Sequence, residues 1–158
     1  MYAFVDRPVT ELDAGGRLLV WAMRLWVKAV GERKCPGNAL APAFAGLAVL
    51  PGLQPFMAMM ALFNRHGLEN FQFCALPCNH VSEHEALILT LVCTMPGATP
   101  KTARDTLELL VAEEAVAPLV DAVARLGKAL GAVGMHPQLP DAAAPQQASG
   151  SVSTPTAD

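Results

Sequence analysis

Thiolate and imidazole are the donor pair that zinc and iron prefer, and three of the four cysteines and two of the four histidines of this sequence fall within residues 74–93. Cys74 and Cys78 form a Cys-x3-Cys pair, inside the spacer of roughly two to four residues found in zinc sites, and His80 follows two residues on. Cys35, beside Pro36, can complete a tetrahedral set from a distance. The expected metal ligands are therefore Cys35, Cys74, Cys78 and His80, with His84 as a substitute and zinc as the candidate ion. A second close ligand pair, the feature that makes a zinc signature specific, is missing. Plain packing competes with the metal reading, because unpaired cysteine is among the most buried side chains. Cys93, ten residues into an apolar run, reads as core.

A reactive thiol is the other chemistry open to this region. Cys78 lies just before a helix start, whose partial positive charge favours thiolate, and His80 could assist, while Glu83 and Glu85 oppose the effect. Glu83, His84 and Glu85 look like an acid–base group, yet they occupy the first turn after Ser82. There the capping box of Ser82 and Glu85 accounts for them. The sequence contains no phosphate-binding loop, dinucleotide fingerprint, nucleophile elbow or metalloprotease helix, and it points away from an enzyme, with no catalytic residue to name. His66, before Gly67, reads as a helix C-terminal residue on the dipole, and His136 as solvated beside the tail.

The elements that must position these residues are helical. Thr10 is a candidate N-cap for a helix reaching residue 31 or 32, weakened at Gly15 and Gly16. At 100° per residue Arg17, Trp21, Arg24 and Lys28 share one narrow stripe, and apolar residues including Trp26 fill the rest of the circumference. An aromatic among cations has the composition of a binding hot spot, so this stripe is the expected partner surface. Cation-π packing within the protein is the simpler account.

Residues 38–64 carry no charged side chain, but Pro42, Pro51, Gly52 and Pro55 divide them into two short helices, about 39–49 and 54–65. Buried core helices are expected there, with membrane contact as a lower-ranked use. Phe71 and Phe73 alternate with Gln72 in a short extended segment near residues 70–76. Glu83 opens an apolar helix that ends at Pro96-Gly97. Thr99-Pro100 opens another, predicted to run to about Glu114. A last helix is expected from about Pro118, with Leu119, Val123, Leu126, Leu130 and Val133 as a heptad-like seam packed inside the bundle.

Hydrophobic residues make up 53% of the chain and charged ones 16%, with a net charge of -3. The charge argues against a nucleic-acid binder. The apolar excess leaves surface for a partner. Four cysteines in a chain of this size do not make a disulfide framework, and no secretory leader is visible at the N-terminus, so free thiols and a cytoplasmic location are expected. The reading is an all-α domain over residues 1–136, a bundle of five or six helices, with a disordered tail over 137–158. The first expected function is a non-catalytic interaction or regulatory module that binds a protein partner or a second copy of itself. A metal-binding or thiol-based sensor built on Cys35, Cys74, Cys78 and His80 comes second, and peripheral membrane association third.

Overall fold

The structure, a computed structural model, describes residues 3–140. Six α-helices follow in order: α1 (Ala14–Gly31), α2 (Pro36–Gly46), α3 (Leu53–His66), α4 (Glu83–Thr94), α5 (Pro100–Glu108) and α6 (Glu113–Gly131), with short 3-10 turns at Val9–Glu11, Leu50–Gly52 and Met95–Gly97. Helix α6 packs on α3, α4 and α5, helix α1 lies on α2 and α4, and α2 also meets α3. One cluster of buried side chains runs from Phe4 to Leu130. The all-α expectation holds, and the extended segment near 70–76 forms no strand.

Helix α1 starts three residues later than Thr10 would have it. A 3-10 turn occupies Val9–Glu11, and Asp13 becomes the N-cap, accepting the Gly16 amide at 2.7 Å. Gly15 and Gly16 prove to be a seat rather than a weakness: a Cβ on Gly15 would overlap the Met135 carbonyl. The chain after α6 therefore returns over the start of α1, with the Gln138 amide donating to the second Asp13 oxygen at 2.9 Å. Of residues 137–140, expected in the tail, Pro137 is buried and Gln138 is tied to Asp13, while the Gln138 and Leu139 side chains are exposed. The remainder of the expected tail, 141–158, lies outside the described residues. His136, expected in solvent, instead sets Nε2 against Gly127, where that atom is buried.

Helices α2 and α3, expected as buried core helices, each give one face to the core and leave the other half-buried or exposed, α2 burying only Leu40 and Phe44. Leu40, Phe44, Phe56 and Met59 are fully buried, and the Phe44 and Phe56 rings stand 5.8 Å apart. No helix among the described residues is long and apolar enough to cross a membrane. The helix expected to continue to Glu114 stops at Glu108, because the backbone of the next residues serves α3 instead. Leu110 accepts the Leu68 amide at 2.9 Å, and the Ala112 amide donates to His66 at 2.9 Å. Helix α6 then begins at Glu113, with Pro118 inside it, and buries Leu119, Val123, Leu126 and Leu130 of the predicted seam in the bundle, while Val133, its last expected member, lies past the helix end and is exposed.

Three helices end in the same way. After α1, α2 and α6 a residue at positive φ turns the chain, and paired amides return to the last helical carbonyls in a Schellman arrangement. Glycine fills this place only after α6, at Gly134 (φ 70°). Arg33 (φ 57°) and Ala48 (φ 58°) fill it after α1 and α2.

Candidate metal centre

The site is built on the segment between α3 and α4, and its shape is set from outside by one arginine. Arg24 of α1 is buried, 4% exposed, where an exposed stripe was expected. Its Nε donates to Glu85 Oε1 at 2.8 Å and one terminal nitrogen to Glu85 Oε2 at 3.1 Å. That terminal nitrogen also donates to the His80 carbonyl at 2.9 Å, and the other one to the carbonyls of Cys78 at 2.6 Å and, at a long 3.5 Å, Leu76. These five contacts match the five N–H donors of a guanidinium. The hydrogen bond to Glu85 raises the Arg24 pKa further, against the effect of burial.

Glu85 is equally engaged. It completes the expected capping box, accepting the Ser82 amide at 2.9 Å while Ser82 Oγ accepts the Glu85 amide, and it also accepts the Cys74 amide at 3.1 Å. A buried ion pair is costly unless its remaining valences are filled, and here loop backbone fills them. The far side of the loop is held by the N-terminal segment, with the Val9 amide donating to Asn79 at 3.1 Å and the Val81 amide to Arg7 at 3.0 Å. The N-terminal contacts form one isolated antiparallel bridge, Pro8 with His80, and residues 70–76 pair as no strand.

On this frame the ligand atoms of Cys74, Cys78 and His80 lie within 4.8 Å of one another, and the three residues form a group that could hold a metal ion. Cys78 Sγ is 3.1 Å from His80 Nδ1. Tetrahedral zinc, with bonds of about 2.3 Å to sulfur and about 2.0 Å to nitrogen, sets neighbouring donors roughly 3.5 to 3.8 Å apart, so small side-chain movements suffice. His80 is exposed and both thiols are half-buried, which leaves a path from solvent. Burial pushes the Cys74 thiol up, helped by the hydrogen bond with Cys78 and the charge of Glu85 and opposed by Arg24. A raised pKa disfavours a nucleophilic Cys74 thiolate, and an ion binding there must displace a proton.

The other expected ligands stand elsewhere. Cys35 is exposed at the N-cap of α2, its Sγ beside Gly37 and outside the group. The reason is the length of α1: the loop is held at Arg24, and Cys35 lies beyond Gly31, at least seven residues or roughly 10 Å further along the axis. His84 is not a substitute ligand. Its Nδ1 accepts the Gln72 amide at 2.8 Å, its Nε2 is 3.6 Å from Glu69, and its ring stacks on Phe71 at 4.8 Å. Cys93 is in the core cluster's margin, as expected, with its thiol pushed up to about 12 by burial. His66 closes α3, 3.8 Å from Glu114. Of the expected partner stripe, Arg17 and Lys28 are exposed and Trp21 is half-buried in a groove with Ala43, Leu47 and Met135. Arg24 keeps its place on the stripe but is buried against Glu85, so it adds nothing to an exposed surface.

The Arg24–Glu85 pair is the feature that sequence reasoning missed. One signal was available: Arg24 sits mid-way along a helix too apolar to be peripheral, and a cation on a central helix requires a buried anion. Glu85, at the start of an otherwise apolar helix, was a natural partner. Fold and site together define an all-α domain carrying a Cys2His group on a clamped loop. Compared with protein-family models, with curated proteins and with solved structures, the chain matches none.

Proposed function

We propose that this chain is a non-catalytic helical domain that binds one transition-metal ion, zinc first, through Cys74, Cys78 and His80. The observation that carries the reading is the convergence of three soft and borderline donors on a loop whose backbone is fixed by Arg24 and Glu85. Two thiolates and a neutral imidazole balance the charge of a divalent ion and leave a fourth coordination position for water or an incoming ligand. Bidentate carboxylate chemistry, suited to calcium or magnesium, is not offered, since Glu85 is engaged with Arg24.

Native mass spectrometry of protein prepared without chelator and supplied with zinc tests this. The expected species carries one zinc less the displaced protons, and cobalt(II) in its place gives thiolate charge-transfer absorbance. Cys78→Ser and His80→Ala lose the ion, with affinity falling by more than the roughly 10- to 100-fold typical of outer contacts, while Cys35→Ser retains it. Uptake by Cys78→Ser equal to the parent protein would sink the proposal.

The reading as a protein-interaction module draws on a different place. Leu68 and Leu109 are 60% and 74% exposed, on two loops joined through the Leu68 amide and the Leu110 carbonyl. Apolar side chains so exposed on adjoining loops suit a partner surface. If Leu68→Ser with Leu109→Ser leaves the concentration dependence of the sedimentation coefficient unchanged, these loops are not a self-association surface.

A further inference from the structure

We propose that a second site, separate from the Cys/His loop, binds a small N-methylated ammonium ion. A pocket of about 380 Å³ opens between α1, α3 and the irregular segment 69–73, and three of the chain's six phenylalanines and one of its two tryptophans line it: Phe63, Phe71, Phe73 and Trp26. Its size is in the range of small-molecule sites. Trp26, 7% exposed, and Phe63, 3% exposed, make the floor, while Phe71 and Phe73 are half-buried walls. The Phe63 and Phe71 rings stand 4.9 Å apart and tilted by 46°.

Helix packing buries the two floor residues and only part of the two walls. Phe71 and Phe73 come from a segment with no regular structure; both pack in part against the core, Phe71 on the rings of Phe63 and His84, and both also line the pocket. Among the described residues one charged side chain lines the pocket, Glu69, exposed at its rim with its carboxylate 3.6 Å from His84 Nε2. Aromatic faces carry negative potential, so rings together with one carboxylate, and no lining cation among the described residues, select a positive ligand. A bare ammonium would lose its hydration in an apolar pocket. An N-methylated one presents methyl groups to the rings and a diffuse charge to Glu69, and an anionic ligand would be repelled.

The test compares an isosteric pair, choline and the neutral 3,3-dimethylbutan-1-ol, on the full chain at constant ionic strength. In a Trp21→Phe background the remaining fluorescence reports Trp26, and the methyl protons of bound choline should shift upfield in the ring currents. Choline is expected to bind about tenfold tighter than the alcohol, the difference a cation-π pocket with a carboxylate supplies. Glu69→Gln, on an exposed side chain, should weaken choline by about threefold or more and leave the alcohol unchanged. Equal affinity for the pair, a response to choline that does not saturate, or a Glu69→Gln protein that binds choline as before would each overturn the proposal. Zinc loading is read separately, so failure here leaves the Cys/His reading intact.

Discussion

The loop over residues 72–82 and the helix layer where α6 meets α3 are ordered by opposite means. In the layer, Leu119, Leu126, Phe56 and Met59 are fully buried, and order is shared among many weak contacts. In the loop, one guanidinium and one carboxylate hold five backbone groups between them, those of Cys74, Leu76, Cys78, His80 and Ser82. The layer can lose a side chain and keep its shape. The loop cannot, since each end of the clamp leaves several polar groups without partners when removed.

Paired substitutions should expose that difference most strongly. Glu85→Ala, which strands the buried Arg24 charge, is expected to cost about 3 to 5 kcal/mol in denaturant unfolding and to abolish zinc or cobalt uptake. Leu119→Ala should cost about 2 to 5 kcal/mol and leave the metal affinity of the folded protein within about threefold. Comparable metal loss in both proteins would show that the clamp is not what orders the ligands.

A second contrast is in alkali. The Cys93 thiol, on α4, is pushed up to about 12, and that of Cys74 is raised as well, in both cases first by burial. Below the ordinary thiol value of 9.0 both are protonated in folded and unfolded chains alike, and their contribution to stability is complete. As pH climbs above that value the unfolded chain gives up its protons first, so stability should fall progressively toward pH 12. Denaturation midpoints at about pH 8 and about pH 10 measure the slope. Cys93→Ala should make it shallower, and an unchanged slope would locate the loss elsewhere.

The smallest expected effect is a gain in the helical part. Ala48 occupies a left-handed position that glycine takes without strain, so Ala48→Gly should stabilise the chain by about 0.5 to 1 kcal/mol with no change at the loop. A thermal midpoint that falls instead would mean the turn after α2 is held in some other way.

Much of the helical layer was legible because its signals are local and periodic. Ser82 and Glu85 announced α4, Pro100 announced α5, and the spacing of Leu119, Val123, Leu126 and Leu130 gave the buried face of α6. The failures share a different cause. The stop at Glu108, the seating of Met135 and Pro137 on Gly15 and the recruitment of Arg24 all depend on groups far apart in sequence, which no window reveals. For the candidate site, spacing placed Cys74, Cys78 and His80 together. It could not say that Cys35 lies past the far end of α1 or that His84 is tied to Gln72 and Glu69.

The clamp on the loop also bears on what calorimetry would register. None of the groups that Arg24 and Glu85 hold is a candidate metal ligand atom, so the ion is not required to collapse this segment. Loading would then bury little new apolar surface, and its heat-capacity change should be close to zero, unlike that of a zinc finger, which folds around its metal. The measured heat should instead follow the ionisation enthalpy of the buffer, because the main thing released is the thiol protons.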